Sequence, residues 1–396
     1  MQPLAGRRIW FAGIGGVGLS GYALLSAAWG AETAGWDTAE TPYLAPLREA
    51  GIEVSVLPEP PPPPEGWEVV VGTAFRDRLA GRTRAELLAE LVSIRDAVVV
   101  AGAHGKTTTA AMIAFALDRL DHDPAFVIGG DVPQLGGNAR AGKGWLVAEG
   151  DESDRTIASL RPRVAVVTNV DLDHHTEFAS RADVEELFGG WVAKVPTVIR
   201  GDELEPLRGK LAVPGEHNRR NAACALAALI ATGADRGSAE RALREFRGVG
   251  RRLERRGEVG GVAVYDDYAH NPVKVAAALA ALRETGASRV LALFQPHLYS
   301  RTRHLAYELA GALAAADAVA VTEIYPAREQ PAAGVTGRLV VEALAGRRPG
   351  MPLAWTPDSA DGARFLARRA RSGDALATLG AGDVDSVVSL LLEELA

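Results

Sequence analysis

Three glycine-rich segments, each next to a short apolar run, constrain the fold of this chain more than any other feature. They lie at Gly13–Gly18, at Gly102–Gly105 and in the stretch from Gly248 to the apolar run at Val262. Continuous apolar runs are typical of strands that are buried on both faces of a parallel sheet. Since Ala- and Leu-rich helical stretches separate these runs, the pattern predicts an α/β fold that starts anew three times along the chain.

We therefore expect three α/β domains, which cover residues 1–94, 95–245 and 246–396. The predicted strands are short apolar runs at Ile9–Ala12, Glu68–Val71, Ala97–Ala101, Trp145–Ala148, Val164–Thr168, Ala263–Tyr265, Val290–Phe294 and Ala318–Thr322. The predicted helices include Glu86–Leu91, Ala110–Leu120, Asn221–Ala231 and Val275–Leu282. The proline-rich segment Pro58–Pro64 is predicted to be an extended surface loop within the first domain.

Composition and charge narrow the class of protein. The chain has 396 residues and a net charge of −7, whereas a protein that coats nucleic acid is normally basic. Its one cysteine, Cys224, excludes an intrachain disulfide and a cysteine-based metal cluster. The N-terminal residues lack a secretory signal, and the longest apolar run, Ala222–Ala231, is too short to span a bilayer. We expect a cytoplasmic protein with neither nucleic acid nor a membrane as a partner.

The first glycine-rich turn has the pattern of a nucleotide-binding loop. A predicted strand precedes it and a helix follows, and Asp37 ends the next predicted strand about 20 residues on. Glycines allow the backbone to approach a diphosphate at a helix N-terminus, whatever the nucleotide. The diphosphate of NAD or of another nucleotide could bind there, and a tight turn without a ligand is the alternative. The candidate residues are Gly13, Ile14, Gly15, Gly16, Val17, Gly18 and Asp37.

The second glycine-rich turn contains the core of a phosphate loop, between a predicted strand and a predicted helix. In such a loop backbone N–H groups surround phosphate, a lysine reaches the β- and γ-phosphates, and a threonine hydroxyl ligates Mg²⁺. The loop is shorter than the common spacing because Val100 occupies the position of the first glycine. A surface turn is the alternative. The candidate phosphate-binding residues are Gly102, His104, Gly105, Lys106, Thr107 and Thr108.

Two acidic clusters each follow a predicted strand. Glu149–Asp154 follows Trp145–Ala148, and Asn169–His175 follows Val164–Thr168. Open α/β sheets bind ligands at the carboxyl ends of their strands, and the phosphate loop lies at a similar edge. Carboxylate oxygens suit Mg²⁺, and one imidazole is tolerated. The clusters therefore predict a Mg²⁺ site near the phosphate loop, with solvated acidic loops as the alternative.

Further candidates lie towards the C-terminus. Asn218 and Asn221 are spaced to share a helix face, where they could contact an adenine edge or cap the helix. Three segments of the last domain are rich in arginine, histidine and tyrosine: Gly250–Glu254, Asp266–Pro272 and Phe294–Arg303. Arginines there could hold a phosphate or a carboxylate through paired hydrogen bonds, although a solvated face is the alternative.

With these residues in view, the chain resembles the Mur ligases, from about Ile14 to Gly382. Within that family it is most similar to the ligases that join L-alanine to UDP-N-acetylmuramate in peptidoglycan synthesis. FQPHLYSRT separates it from the tripeptide-recycling ligases, which are similar elsewhere. The motifs that carry the resemblance are GIGGVGLSG, GAHGKTTT, DESD, TNVDLDH, GEHNRRNAACAL, GRRLE, DDYAHNP, FQPHLYSRT and GAGDV.

The resemblance implies an N-terminal Rossmann-like domain that binds the UDP-sugar, a central P-loop ATPase-type domain that binds ATP, and a C-terminal Rossmann-like α/β domain that binds the amino acid. It implies ligation through an acyl phosphate, with Mg²⁺ as cofactor and with ATP, UDP-N-acetylmuramate and L-alanine as partners. The glycine loop would then bind the UDP-sugar and not NAD. We expect a monomer or a homodimer.

The resemblance also assigns roles to matching positions. Lys106, Glu149, His174 and Arg252 are expected to be catalytic, and Thr107, Glu149 and His174 are expected to ligate metal. Beside the phosphate loop, the ATP-binding positions are Asn218, Asn221, Arg252 and Asp267. The amino-acid-binding positions are Tyr268, His270 and Arg301.

The chain departs from the family pattern at three places. Asn271 stands where a second histidine is usual, and Leu298 stands at a position that is sometimes arginine. The stretch between Val71 and Leu87 is short, with Gly72–Phe75 where a Ser-Ser-Ala-Ile turn is expected. A related ligase with another amino acid or peptide, an NAD-dependent oxidoreductase, and a nucleotide-binding regulator without catalysis remain alternatives.

Overall fold

A computed structural model describes residues 2–152, 154–171, 178, 180–327 and 329–396. The described residues form three β-sheets of mostly parallel strands, which confirms the predicted α/β class. The chain divides into two compact units, Met1–Ala212 with Arg219–Arg247 and Val213–Asn218 with Gly248–Ala396. The first two sheets belong to the first unit, and the third sheet belongs to the second. The borders of the three domains stay predictions.

The first sheet is a parallel sheet near the N-terminus. Its strands are β1 (Arg8–Ala12), β2 (Glu32–Asp37), β3 (Glu53–Val56), β4 (Glu68–Val71) and β5 (Arg82–Thr83). Its helices are α1 (Val17–Ala28), α2 (Leu44–Glu49) and α3 (Arg84–Ile94). The strand order is β3-β2-β1-β4-β5, so the glycine turn after β1 lies at the centre of the sheet. Pro58–Pro64, between β3 and β4, forms neither helix nor strand, as predicted.

The second sheet carries the phosphate loop. Its strands are β6 (Ala97–Ala101), β7 (Ala125–Val132), β8 (Gly137–Arg140), β9 (Leu146–Glu149), β10 (Val164–Val167) and β11 (Thr197–Arg200). The helices are α4 (Lys106–Arg119), α5 (Arg181–Val192), α6 (Glu216–Ala231) and α7 (Arg236–Arg244). The order is β11-β10-β6-β9-β7-β8, with β8 antiparallel. Since β6, β9 and β10 are neighbours, the loops after them meet at one edge.

The third sheet forms the core of the second unit. Its strands are β12 (Glu254–Val259), β13 (Val262–Asp267), β14 (Val290–Phe294), β15 (Ala318–Val321), β16 (Leu353–Trp355) and β17 (Ala375–Leu379). The helices are α8 (Pro272–Glu284), α9 (Tyr299–Leu313), α10 (Arg338–Arg347), α11 (Ser359–Ala367) and α12 (Val388–Glu394). The order is β12-β13-β17-β14-β15-β16, with β12 antiparallel.

The observed elements overlap every strand and helix that the sequence predicts, and each of the four predicted helices begins earlier than predicted, with the largest difference at α6. Helix α6 begins at Glu216, five residues before the predicted start at Asn221. Asn218 therefore lies inside the first turn and does not cap the helix. Its amide Nδ2 donates to the carbonyl of Pro214 at 2.6 Å. In the part of the chain that the structure describes, no helix has the length and apolar character needed to cross a membrane.

Side-chain packing joins the first sheet to the second within the first unit. Helix α1 packs against β7 and β8. Gly21 permits this approach, because a Cβ there would lie 3.0 Å from the side chains of Ala139 and Val127. The amide of Asn138 donates to the carbonyl of Val17 at 2.8 Å. The helix that follows the glycine turn is therefore fixed against the sheet that carries the phosphate loop.

Candidate active site

The phosphate loop lies between a fully buried strand and a helix, as predicted. All five residues of β6 are 0% exposed, so the strand fixes where the loop begins. Gly105 has a φ of 82° and precedes the first residue of α4, Lys106. This left-handed conformation costs glycine little, and it turns the chain so that the helix N-terminus faces the loop. A helix N-terminus presents free N–H groups and suits phosphate.

Asn169, which follows β10, holds the loop from the neighbouring strand. Its Oδ1 accepts a hydrogen bond from the backbone of His104 at 2.9 Å, and its Nδ2 donates to the carbonyl of His104 at 2.8 Å. The hydroxyl of Thr168 donates to the same carbonyl at 2.6 Å. The sequence places Asn169 in an acidic cluster without a role, and the structure shows that it fixes the conformation of the phosphate loop.

The ammonium of Lys106 lies between the loop and the acidic segment after β9. Its Nζ donates to the carbonyl of Gly102 at 2.6 Å and lies 2.9 Å from each carboxylate oxygen of Glu152. Glu152 is 2% exposed and the side chain of Lys106 is 18% exposed, so this ion pair is largely buried. The sequence alone assigns no role to Glu152. The segment Glu149–Asp154 contains four acidic residues, and nothing in it indicates which carboxylate reaches the lysine.

Two of the predicted metal ligands, Thr107 and Glu149, lie within the described residues. Their side chains are in contact. The Thr107 hydroxyl donates to Glu149 Oε2 at 3.0 Å, and the backbone N–H of Gly129 donates to the other oxygen of Glu149. A hydroxyl and a carboxylate oxygen are hard donors of the kind that Mg²⁺ prefers, so these residues fit a magnesium ion that also binds nucleotide phosphate and water.

The third predicted metal ligand, His174, lies outside the described residues. Among the residues that the structure does describe, no cluster of three or more His, Cys, Asp or Glu side chains forms a metal site. Magnesium ligation by Thr107, Glu149 and His174 stays a prediction.

The N-terminal glycine turn is held by its own sheet. The backbone N–H of Gly15 donates to Asp37 Oδ2 at 2.7 Å, and the Thr41 hydroxyl donates to the carbonyl of Gly15 at 2.8 Å. Gly13 has a φ of 84°, and a Cβ there would lie 2.7 Å from the ring of Phe75. Phe75 belongs to the turn that departs from the family pattern. Asp37 thus supports the loop through a backbone hydrogen bond that the dinucleotide pattern does not predict.

The two asparagines of α6 belong to different compact units. Asn221 lies in the first unit and contacts the phosphate loop, because a Cβ at Gly105 would lie 2.3 Å from Asn221 Oδ1. Asn218 belongs to the second unit. Each is at most 7% exposed. The proximity of Asn221 to the loop is consistent with a nucleotide site, and the adenine contacts of both residues stay predictions.

Arg251 and two carboxylates, Asp266 and Asp267, hold the loops of the second unit together. Arg251 donates to Asp266 at 3.2 Å and to the carbonyls of Gly382 and Gly380 at 3.0 Å each. Asp267 accepts backbone hydrogen bonds from Leu253 and Ala269 at 2.7 Å each. Burial raises the pKa of Asp267 to about 6, although the positive charge of Arg252 opposes this shift.

The predicted amino-acid-binding residues lie together in the second unit. The rings of Tyr268 and His270 are 5.3 Å apart, and those of His270 and His297 are 5.8 Å apart. Arg301 Nη1 lies 3.1 Å from His297 Nδ1. Tyr325 stacks on His297 with ring centroids 5.9 Å apart. His297 and Tyr325 were missed as site residues, although His297 stands in the motif FQPHLYSRT.

Burial keeps both imidazoles of this cluster neutral. Desolvation, with the positive charge of Arg301, lowers the pKa of His297 to about 4. Burial, with the nearby charges of Lys274 and Arg301, lowers the pKa of His270 well below its ordinary value. Arg301 is therefore flanked by neutral rings at neutral pH.

Asn271, one of the departures from the family pattern, has a structural role. It is the N-cap of α8, and its side chain accepts a hydrogen bond from the backbone of Lys274 at 2.9 Å. Asparagine is among the best N-cap residues, so its presence here follows from helix geometry. Leu298, the other departure, has a φ of 68° at the start of α9.

Comparison with known proteins identifies the family. The family model of the Mur ligase middle domain matches residues 100–204, and that of the Mur ligase glutamate ligase domain matches residues 251–382. The UDP-N-acetylmuramate–L-alanine ligase of Renibacterium salmoninarum is 37% identical over 98% of this chain and 96% of its own length. That of Kineococcus radiotolerans is 39% identical over the same shares. The chain belongs to the Mur ligase family.

Solved structures of other Mur ligases share the fold along the chain. The UDP-N-acetylmuramate–alanine ligase of Thermotoga maritima has a TM-score of 0.80 and 26% identity, and the match covers 98% of each chain. A murein peptide ligase of Psychrobacter arcticus has a TM-score of 0.66 and 22% identity over 98% of this chain and 99% of its own, which shows the fold alone. The resemblance that the motifs indicate is thereby confirmed for the family.

Proposed function

We propose that this Mur ligase joins L-alanine to the carboxylate of UDP-N-acetylmuramate and converts ATP to ADP and phosphate, as a step in peptidoglycan precursor synthesis. The relatives that match along nearly the whole chain carry that activity in their names. The single observation in the structure that supports it best is the convergence of Lys106, Thr107 and Glu149 at the carboxyl ends of neighbouring strands.

The reaction needs activation because hydroxide is a poor leaving group from a carboxylate. A carboxylate oxygen of the sugar acid attacks the γ-phosphorus of ATP, the bond from that phosphorus to the bridging oxygen breaks, and ADP leaves. The amine nitrogen then attacks the carbonyl carbon of the acyl phosphate and loses a proton, and phosphate leaves as the amide forms. Positioning and charge neutralisation are the contributions that such a transfer requires of the protein.

Lys106 is the principal cation in the proposed phosphate site. To contact the β- and γ-phosphates it exchanges its hydrogen bonds to Glu152 for bonds to phosphate oxygens. The exchange keeps the ammonium paired with negative charge, but it breaks the ion pair with the buried Glu152, and this cost opposes phosphate binding. Backbone N–H groups at the start of α4 add donors that need no reorganisation.

Magnesium would be held by the hydroxyl of Thr107 and the carboxylate of Glu149, with His174 as a further predicted ligand. When bound, the ion neutralises charge on the phosphates of ATP. The hydrogen bond from Gly129 to Glu149 keeps that carboxylate turned towards Thr107. Arg252, in the second unit, is proposed to add a further positive charge to the phosphates, and Asp267 supports its loop through Leu253.

L-Alanine is proposed to bind the aromatic and basic cluster of the second unit. Arg301 suits the carboxylate of an amino acid, because guanidinium groups bind carboxylates through paired hydrogen bonds. The neutral ring of His270 donates from Nδ1 to the carbonyl of Tyr268, so its Nε2 can accept a hydrogen bond from the substrate ammonium, which a protonated ring would repel. His297 Nδ1 accepts from Arg301 and helps to position that guanidinium. Tyr268 covers one side of the cluster.

The UDP-sugar is proposed to bind the glycine turn Gly13–Gly18. Helix α1 begins at Val17 and has no acidic residue in its first turn, which favours an anion there. Since the proposed reaction consumes ATP, we place it in the cytoplasm, and a monomer or a homodimer remains our expectation for the assembly.

Phosphate release tests this proposal directly. The protein is mixed with ATP, Mg²⁺ and UDP-N-acetylmuramate, and release is measured with L-alanine, glycine, L-serine, D-alanine or a peptide. We expect L-alanine to give the highest kcat/KM and a product whose mass equals the two substrates less water. Preference for another amine supports a related ligase. Binding of NADH with no phosphate release would support an oxidoreductase instead.

A further inference from the structure

Arg84 is the first residue of α3, and its position is fixed from the backbone outward. Thr83 and Glu86 form a capping box that sets the start of the helix. The guanidinium lies against the first turn of α1, because a Cβ at Gly18 would be 3.2 Å from Arg84 Nη1. Arg84 therefore contacts the helix that begins at the proposed diphosphate site.

The same guanidinium reaches the acidic segment after β9. Arg84 Nη2 donates to Asp151 Oδ2 at 3.1 Å and to Asp154 Oδ2 at 3.0 Å. This segment also carries Glu149 and Glu152, which contact Thr107 and Lys106 of the phosphate loop. One side chain thus touches both the glycine turn and the segment that organises the phosphate loop.

The contact of Arg84 with Asp151 and Asp154 lies within a cluster of negative charges. The segment Glu149–Asp154 contains four carboxylates, which repel one another unless cations lie between them. Lys106 pairs with Glu152, and Arg84 pairs with Asp151 and Asp154. Tyr22 lies nearby and adds no charge at neutral pH, since burial raises its pKa to about 12. A change in the position of Arg84 is therefore expected to change the positions of the four carboxylates.

Arg84 also keeps an unused donor. Its Nε is buried and makes no hydrogen bond to any residue that the structure describes. Buried polar groups are normally paired, and exceptions are concentrated at functional sites.

We propose that Arg84 is a positioning residue that links occupancy of the glycine turn to the geometry of the acidic segment, and through it to nucleotide binding. The inference rests on the proposed function, in which a nucleotide diphosphate occupies the glycine turn and Mg²⁺–ATP occupies the phosphate loop. An anion at the turn attracts the guanidinium, Asp151 and Asp154 follow it, and Glu149 and Glu152 shift with their segment. The two sites are thereby thermodynamically coupled.

The chain offers a matched control in Arg7. Its side chain is 23% exposed against 25% for Arg84, and each arginine pairs with two carboxylates. Arg7 bonds Glu68, at the start of β4, and Glu90 in α3, so it lies at the opposite end of the sheet from the glycine turn. Lysine in place of either arginine keeps the positive charge but loses the planar guanidinium, which can hydrogen-bond two carboxylates at once.

The test measures how UDP-N-acetylmuramate changes the affinity for fluorescent mant-ATP in the presence of Mg²⁺, with an imido bridge between the β- and γ-phosphates of the probe so that no phosphoryl group is transferred. We expect the sugar nucleotide to tighten mant-ATP binding by about fivefold or more in the wild type and in Arg7→Lys. Arg84→Lys should reduce that factor to less than about twofold while its affinity for mant-ATP alone stays close to that of the wild type. Equal coupling factors in Arg84→Lys and Arg7→Lys would overturn the inference, as would a wild type without coupling.

A second variant separates coupling from simple loss of stability. Asp154→Asn keeps the Oδ1 acceptor for the Thr156 backbone and removes the charge that faces Arg84. We expect it to reduce the coupling factor as Arg84→Lys does, and the double variant to be no worse than either single one. The inference would be overturned if the loss of coupling free energy in the double variant equalled the sum of the losses in the two single variants. Because binding is measured without turnover, a wild type that couples the two ligands but does not ligate refutes the proposed function alone.

Discussion

The ammonium of Lys106 lies 2.9 Å from both carboxylate oxygens of Glu152, in an ion pair whose carboxylate is buried and whose lysine side chain is 18% exposed. The lysine that we propose to bind ATP thus already has an anionic partner within the protein. Nucleotide phosphate must compete with that partner. The competition makes Glu152 a determinant of nucleotide affinity that the metal-binding motif alone does not indicate.

Glu152→Gln should destabilise the protein and tighten nucleotide binding. Removing the charge of Glu152 leaves the Lys106 ammonium without this carboxylate, and because Lys106 is partly exposed the cost is below the about 3–5 kcal/mol typical of a fully buried pair. Phosphate would then restore the lost negative charge, so we expect a lower Tm without nucleotide and a larger rise in Tm on adding Mg²⁺–ATP than the wild type shows. Differential scanning fluorimetry measures both. Glu245→Gln, at an exposed ion pair with Arg119, is the control. Equal ATP-induced shifts in both variants would refute competition.

The glycine that opens the phosphate loop should not tolerate a side chain. Gly102 has a φ of 136°, and a Cβ there would lie 2.2 Å from Thr168 Oγ1. Gly102→Ala should therefore displace the hydroxyl that holds the His104 carbonyl and weaken mant-ATP binding by about tenfold or more, since strain of this kind costs about 1–3 kcal/mol. Gly136→Ala is the control, because Gly136 has a φ of 77° but open space around it. If the two variants bind mant-ATP equally well, the close packing of the loop is not required.

His297 should make the protein less stable in acid. Its folded-state pKa is lowered to about 4 from an ordinary value of 6.5, so the unfolded chain takes up a proton that the folded chain excludes between these values. This contribution to stability is complete above pH 6.5 and is lost as the pH falls towards 4. With allowance for solvent screening it is on the order of 1 kcal/mol.

His297→Gln, which cannot take up that proton, should show a shallower fall in Tm between pH 6.5 and pH 4 than the wild type. Thermal unfolding across this range measures the difference. If the Tm of the two proteins fell equally between pH 6.5 and pH 4, the pKa of His297 would not be lowered in the folded protein.

The sequence predicts the strands and turns that carry the site well, because each of them depends on residues that are close together in the sequence. Continuous apolar runs such as Ala97–Ala101 fix the strands, and the glycines directly after them fix the turns. Helix α6 was placed too late because its first turn, from Glu216, is polar. The antiparallel edge strands β8 and β12 were not predicted, because strands such as Glu254–Val259 are mostly polar and give no apolar run.

The parts of the site that sequence reasoning missed are contacts between distant residues. Glu152 reaches Lys106 from the segment after β9, 46 residues further along the chain. Asn169 reaches His104 across two neighbouring strands, and Arg84 reaches Asp151 and Asp154 from another sheet. A motif gives the residue type at each position, but only the fold shows which of several carboxylates meets which cation.

The central claim is that Lys106 serves ATP-dependent ligation of an amino acid to a sugar acid. Its most direct test is phosphate release by wild type and Lys106→Ala with ATP, Mg²⁺, UDP-N-acetylmuramate and L-alanine. We predict release in the wild type that requires both the sugar nucleotide and the amino acid, and a rate at least about 10²-fold lower in the variant. Comparable release by the variant, or release by the wild type that does not depend on L-alanine, would contradict the account.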